Sequence, residues 1–176
     1  MQDSHITIRP LSEIDAQPYR EIRLRAVVDS PATMWPTAEE ELAWPVEQTA
    51  DLLHATVHKI VFGAFAGEDL VGVTSLHREP IRQAEHTGFV WGVFVDPAYR
   101  RQGTARRLFE AVLAQAKATG VIQLHLCVNT ENVAARCFYR SLGFESFGIK
   151  PRVLWIGGRF YDEEQMGLRL DDQPET

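Results

Sequence analysis

The sequence predicts a mixed α/β fold in a single domain. Segments with the apolar–polar alternation of strands lie on both sides of one clear amphipathic helix, and two of the earlier segments form a hairpin. This order predicts antiparallel strands first and a strand–helix–strand unit after them. The 176 residues are 45% hydrophobic and 24% charged, which is typical of a globular domain. We expect one domain over residues 1–170 and a disordered acidic tail over residues 171–176.

Composition argues against several classes of function. The net charge of −6 disfavours nucleic-acid binding, which requires a basic face. No apolar run approaches the ~20 residues of a membrane helix and the first residues lack a signal-peptide core, so we expect a cytoplasmic protein without a membrane partner. The cysteines Cys127 and Cys137 are too few for a disulfide framework and lack metal-ligand spacing, so we expect no bound metal.

The first half of the chain predicts three strands and two helical regions. In order, the pattern predicts a strand over residues 5–9 that ends at Pro10, a helix over 14–28, a loop over 30–36, and hairpin strands over 60–66 and 70–77. Thr37 is followed by Glu39-Glu40-Glu41, which predicts the N-cap and acidic first turn of a second helix. Pro45 should break that helix, so we expect residues 29–56 to form a flexible, partly helical cover.

The second half is organised around a long strand over residues 87–95. Gly92 within this strand predicts a bulge or a close backbone approach. A helix over residues 105–118 follows, with apolar residues on one face and Gly120 after its end. The remaining predicted elements are a strand over residues 121–128, a short helix capped within 129–132 that ends at Leu142, and strands over 144–148 and 159–170.

A short basic loop joins the long strand to its helix. Asp96-Pro97 stops the strand, and Arg100-Arg101-Gln102-Gly103-Thr104-Ala105 leads into the helix. Small residues give backbone N–H groups room to converge, and a helix N-terminus attracts negative charge. Arg106 and Arg107 add positive charge. The sequence therefore predicts an anion-binding site at this junction.

Two motifs together resemble the GNAT superfamily of N-acyltransferases. Residues 100–105 match the family's Q/R-x-x-G-x-G/A loop. One helix and one strand later, Asn132, Ala134, Tyr139 and Gly143-Phe144 are similar to a second family signature. The two motifs occur in the expected order, and the resemblance covers about residues 6–170. The closing segment is similar to that of a generic bacterial branch of the family.

The resemblance implies a central, mostly antiparallel sheet of six to seven strands, splayed at the middle and flanked by about four helices. It implies acetyl-CoA as the donor, and direct transfer of the acetyl group to a primary amine of a small molecule or peptide. The loop would bind the pyrophosphate, the strand edge would pair with the pantetheine arm, and Tyr139 would protonate the leaving thiolate. The residues implied in coenzyme binding are Val93, Phe94, Val95, Arg100, Arg101, Gln102, Gly103, Thr104, Ala105, Arg106, Asn132 and Tyr139.

The sequence does not single out one residue as the general base. An amine must lose a proton before it attacks, yet residues 88–95 contain no acid. Glu85 and His86 lie just before this strand. Glu85 is preferred by residue type, and His86 by its ordinary pKa of ~6.5. The further candidates are His77, Asp162 and Glu163.

A second function remains open, a non-catalytic acyl-CoA-binding regulatory or partner-binding module with the same fold. The missing strand acid favours this alternative, whereas Tyr139 and the intact loop oppose it. A homodimer also remains open. Trp35, Trp44 and Trp91 are candidates for the acceptor side, although Trp44 fits a satellite core better.

Overall fold

The structure, a computed structural model, describes residues 6–171. His5 of the first predicted strand and residues 172–176 of the predicted tail lie outside the described residues. The described chain contains seven strands and five α-helices: β1 Ile6–Pro10, α1 Ala16–Asp29, α2 Ala38–Ala43, α3 Val46–Leu53, β2 Lys59–Ala66, β3 Asp69–Arg78, β4 Thr87–Val95, α4 Thr104–Ala118, β5 Gln123–Asn129, α5 Val133–Ser141, β6 Glu145–Ile156 and β7 Arg159–Arg169.

All seven strands form one sheet in the order β1-β2-β3-β4-β5-β7-β6. Neighbouring strands are antiparallel except for the parallel pair β4 and β5. This confirms the predicted mixed, mostly antiparallel sheet. Within residues 6–171, no helix is long and apolar enough to cross a bilayer.

The helix signals in the sequence correspond to real ends and breaks. The N–H of Glu40 donates to Thr37 Oγ1 at 3.2 Å, and the N–H of Thr37 donates to the Glu40 carboxylate at 2.7 Å. This reciprocal pair begins α2 at the predicted residue. Pro45 separates α2 from α3, as predicted, and the two short helices bring the total to five rather than about four.

Helices cover both faces of the sheet and bury two separate cores. On one face, α1 and α3 pack against the strands through a cluster that includes Ile22, Ala26, Leu53, Val61, Val73 and Phe94. On the other face, α4 and α5 pack through a cluster that includes Leu108, Phe109, Val112, Leu124, Tyr139 and Met166. The predicted apolar face of α4 is therefore the face that contacts the sheet.

The sheet is split between β4 and β5. Only Thr87–Phe89 pair with Gln123–His125, so the ladder between these strands is three residue pairs long. Gly92 has φ +64, and Gly92 and Val93 together oppose the single residue Thr74 of β3. This bulge bends the second half of β4 away from β5, which confirms the predicted splay and bulge.

The sixth strand is longer than predicted, since β6 spans Glu145–Ile156 rather than residues 144–148. It lies at the sheet edge, and most of its residues are exposed on both faces. Pro151 stands beside a break in register, a position that an edge strand tolerates. Apolar residues do alternate along β6, at Phe147, Ile149, Val153 and Trp155, but Pro151 interrupts the pattern, and a proline usually ends a strand.

Candidate active site

The split in the sheet forms a cleft of about 590 Å³, here called the fork cleft. Residues 90–95 of β4 form one wall and residues 126–129 of β5 form the other, while Phe138 and Tyr139 of α5 close its side. Because the β4–β5 ladder ends at Phe89, the backbone edge of β4 beyond that residue has no strand partner on the cleft side. Such an edge can hydrogen-bond to an extended ligand.

The loop at the end of β4 has an uncommon backbone. Arg101 and Gly103 have φ angles of 62° and 81°, in the left-handed region, immediately before α4. Thr104 is 1% exposed, and its Oγ1 donates to the carbonyl of Tyr99 at 3.1 Å, which fixes the loop. A Cβ placed on Gly103 would stand in open space, with no heavy atom within 4 Å. The first N–H groups of α4 therefore face an accessible space suited to an anion.

The arginines of this loop differ in how far they are already engaged. Arg100 Nε donates to the carbonyl of Val95 at 2.8 Å, and Arg100 Nη2 pairs with Asp29 at 2.5 Å. Arg101 is exposed and lines the fork cleft. Arg106 Nη2 donates to Ser141 Oγ at 3.2 Å. Arg101 thus has the guanidinium most available to a phosphate, whereas Arg100 helps to build the wall.

Tyr139 lies in the wall of the fork cleft and is 7% exposed. Its ring packs against Phe109, Phe138 and Phe144 with centroid distances of 5.5 Å, 5.6 Å and 6.1 Å. Burial raises the pKa of the Tyr139 phenol above its usual value, and the nearby Cys127 raises it further. The phenol is therefore protonated throughout the physiological pH range and can serve as a proton donor.

Cys127 also lines the fork cleft, but its thiol is unsuited to carry an acetyl group. Burial raises the pKa of Cys127 to about 12, with further contributions from the carboxylate of Glu163. A protonated thiol is a poor nucleophile. The same burial would destabilise any other thiolate formed in the cleft and raise its pKa, which brings that pKa closer to that of the Tyr139 phenol.

Glu163 places a carboxylate in the fork cleft. It lies on β7 opposite Asn129 of β5 and is 7% exposed. Its Oε1 accepts a hydrogen bond from Trp35 Nε1 at 2.9 Å, and its charge raises the pKa of the Cys127 thiol. Among the described residues, Glu163 is the one acid that lines this cleft.

The structure places the other base candidates outside the fork cleft. Glu85 and His86 precede β4 at its paired end, whereas the cleft opens at the opposite end. Thr87, where β4 begins, is about 20 Å along the strand from Val93 at ~3.3 Å per residue, and Glu85 and His86 precede it in a turn. His77 and Asp162 do not line the cleft either. The geometry therefore does not support Glu85 or His86 as the base, because both precede the end of β4 that is paired with β5.

The residues implied in coenzyme binding lie together around one end of the cleft. Those that line it are Val93, Phe94, Val95, Arg100, Arg101, Ala105, Asn132 and Tyr139. Those in the adjoining loop and first turn of α4 are Gln102, Gly103, Thr104 and Arg106. The Asn132 side chain also caps α5, because its Oδ1 accepts the N–H of Ala135 at 3.1 Å.

A second cavity of about 710 Å³ adjoins the fork cleft and is here called the tryptophan cavity. It lies between α1, α2, α3 and Trp91 of β4. Trp35, Arg23, Pro36 and Trp91 line both spaces, so the cavity and the cleft adjoin at these residues. Trp44 is 50% exposed and lines the cavity, so it is not the satellite core residue that the sequence favoured.

Two side-chain contacts where the cleft and the cavity adjoin join residues that are distant in sequence, so no short motif predicts them. The Nε and Nη2 groups of Arg23, which is 6% exposed, donate to Glu41 Oε1 at 3.0 Å and 2.5 Å, across 18 residues of sequence. Trp35 and Glu163 are 128 residues apart. No motif spacing connects such residues, and they meet only because the helices and β7 pack against the same sheet.

Comparison with known proteins identifies the family. Residues 24–144 match the model of the Acetyltransferase (GNAT) family. The chain is 34% identical over 160 residues to the N-alpha-acetyltransferase RimI of Mycobacterium tuberculosis, which covers 87% of each protein. A GNAT-family acetyltransferase from Streptococcus pneumoniae has the same fold, with a TM-score of 0.86 at 22% identity over 94% of this chain and 99% of that one.

The structure of an acetyltransferase from Salmonella typhimurium, solved with acetyl-CoA, has a TM-score of 0.82 at 23% identity over 98% of each chain. The fold and the fork cleft define an acyltransferase whose donor is a coenzyme A thioester. The chain belongs to the GNAT family of acetyltransferases. It is an N-acetyltransferase that uses acetyl-CoA.

Proposed function

We propose that this enzyme acetylates a primary amine that enters through the tryptophan cavity and meets the donor at Glu163. The observation that carries the proposal is the single cleft carboxylate, held by Trp35 where the two spaces join. The Mycobacterium tuberculosis relative is named for acetylation of α-amino groups, which are primary amines, and this supports the class of acceptor.

The coenzyme is assigned to the fork cleft and its adjoining loop. The first N–H groups of α4, exposed at Gly103, would hold the pyrophosphate, and Arg101 would add a charge-assisted bond. The unpaired edge of β4 over residues 93–95 would accept the pantetheine arm. Asn132 lines the cleft at the start of α5, where its amide N–H groups remain available to the coenzyme.

Three groups of the chain are assigned to the chemistry. Acetyl-CoA supplies the activated carbonyl of a thioester. Glu163 takes a proton from the attacking amine, and the N–H groups of residues 93–95 donate to the oxygen that becomes negative. Tyr139 gives a proton to the departing sulfur. The protonated state of Cys127 supports direct attack rather than an acetylated enzyme.

The activity is tested by incubating the protein with acetyl-CoA and a panel of primary amines that includes monoamines, polyamines and peptides with free N-termini. We expect thiol release that depends on the amine, with an equal amount of acetylated product by mass spectrometry. Tight binding of acetyl-CoA without acetylation of any amine in the panel would contradict the proposal.

The assignment of the base is tested by Glu163→Gln, which keeps the size of the side chain and an acceptor for Trp35. We expect kcat to fall roughly 10²-fold or more, with little change in KM for acetyl-CoA. The difference in kcat between the wild type and Glu163→Gln should shrink toward pH ~10, because the amine there loses its proton without a base. The matched control is Asp162→Asn on the same strand, outside the cleft, which should retain full activity. Equal rates for the two variants would remove Glu163 from the mechanism.

A further inference from the structure

We infer that the natural acceptor is a small monoamine on a flat apolar body, and that Trp44 selects it. This inference rests on the proposed function and narrows the acceptor to one chemical class. It follows from the lining of the tryptophan cavity, from its balance of charges, and from the position of Trp35, which lines both spaces and contacts Glu163.

The surface of the tryptophan cavity is largely aromatic and apolar. Three indoles, two prolines and a leucine contribute to it: Trp35, Trp44, Trp91, Pro36, Pro45 and Leu52. The indoles are 55%, 50% and 38% exposed, respectively, so a large aromatic area is open to a ligand. Aromatic rings prefer offset or edge contacts with other flat groups, and burying them removes apolar surface from water.

The charged groups of the cavity are two arginines and two glutamates, Arg20, Arg23, Glu40 and Glu41, so their charges balance. Arg23 pairs with Glu41, and the carboxylate of Glu40 accepts the N–H of Thr37 at 2.7 Å. Arg20 Nη2 donates to the carbonyl of Leu42 at 3.1 Å. A polyamine or an aminoglycoside would bring several ammonium groups to a surface that offers no excess of negative charge. Unpaired charge against apolar groups is unfavourable, so the cavity disfavours polycations.

The position of Trp35 gives the ligand a direction. Trp35 lines both spaces and its Nε1 holds Glu163, so the amine of the ligand would lie at this inner end. Trp44 lines the tryptophan cavity but not the fork cleft, so it would contact the body of the acceptor and not the coenzyme. A volume of about 710 Å³ suits one small molecule.

The inference is tested by comparing tryptamine, spermidine and a peptide that begins with alanine as acceptors. We expect kcat/KM for tryptamine to exceed the other two values by roughly tenfold or more. Trp44→Ala should raise KM for tryptamine roughly tenfold and leave KM for acetyl-CoA unchanged. The matched control is Trp155→Ala on β6, since Trp155 is 60% exposed and lines neither space. It should change neither constant.

Calorimetric titration of tryptamine into the protein loaded with coenzyme A provides a readout without turnover. Tryptamine binding that Trp44→Ala weakens would support the inference even if no amine in the panel were acetylated, a result that would count against the proposed catalysis alone. Preferred acetylation of spermidine or of the peptide would overturn the inference. It would also be overturned if tryptamine did not bind, or if Trp44→Ala and Trp155→Ala behaved alike.

Discussion

The fork cleft and the tryptophan cavity share a wall but are built in different ways. At the fork cleft, backbone groups from a short stretch of chain, residues 93–105, make up much of the site. In the tryptophan cavity, side chains from α1, α2, α3 and β4 converge from distant parts of the sequence. A site built from the backbone of one short stretch can be recognised from a sequence motif. The residues that contact the acceptor lie elsewhere in the chain, so they can change without altering the donor site.

Tyr139→Phe should have a larger effect than a change in the coenzyme loop of the fork cleft. The ring contacts with Phe109, Phe138 and Phe144 remain, but the proton donor is lost. We expect kcat to fall on the order of 10²-fold while KM for acetyl-CoA changes little, as steady-state kinetics would show. A variant that retains full rate would mean that the leaving thiolate takes its proton from another source.

Gly103→Val should act on coenzyme binding rather than on the chemical step. Valine places bulk where the phosphates would approach and disfavours the left-handed backbone at φ +81. We expect KM for acetyl-CoA to rise roughly tenfold. Gly120→Val is the matched control. Gly120 also has a left-handed backbone, with φ +75, and open space around it, but it follows the C-terminal end of α4, far from the loop. Equal rises in KM would show that loop strain, not the anion site, causes the effect.

Glu164→Gln should affect stability more than turnover, unlike the neighbouring Glu163→Gln. Glu164 is 2% exposed and pairs with Arg136 and with Arg140, the latter at 2.8 Å, and so ties β7 to α5. Both arginines retain contact with water, which reduces the cost of leaving them unpaired. We expect a loss of about 2 kcal/mol in the free energy of unfolding. Thermal unfolding should then occur about 4–8 °C lower.

The Glu164 effect should also depend on pH in one direction. Burial alone would raise the pKa of the Glu164 carboxyl, but hydrogen bonds from Arg136, Ser146 and Arg140 outweigh it and lower the pKa below its usual value. The stabilisation is therefore present above the unfolded pKa of ~4.3 and is lost as pH falls through the lower, folded value. Unfolding curves of the wild type and the variant should converge in acid, and a constant gap between them would contradict the assignment.

Much of the fold and the donor side of the site could be predicted from the sequence. The apolar period of α4, the Thr37 cap and the Pro45 break each act over a few residues, so local chemistry decides them. Gly103 and Tyr139 could be recognised for the same reason, since each belongs to a motif of a few neighbouring residues. The edge strand β6 was predicted too short, because Pro151 interrupts its alternating pattern.

The acceptor side could not be predicted in the same way. Glu163 is one of five candidates for the base in the sequence, where residue type favours Glu85 and the ordinary pKa favours His86. Position along a strand does not bring a side chain to the cleft, which opens only beyond Phe89. Glu163 reaches it because β7 pairs with β5, a long-range register that a local pattern does not encode.

The three-pair ladder between β4 and β5 also has a thermodynamic consequence. The two parts of the sheet are joined by few backbone hydrogen bonds at the fork, and a ligand paired along β4 would add to them. By mass action, a donor at a hundredfold excess over its Kd adds about 2.7 kcal/mol to the free energy of unfolding. The resistance of this enzyme to unfolding and to proteolysis should therefore rise with the concentration of acetyl-CoA, so that the donor substrate also protects the enzyme from degradation.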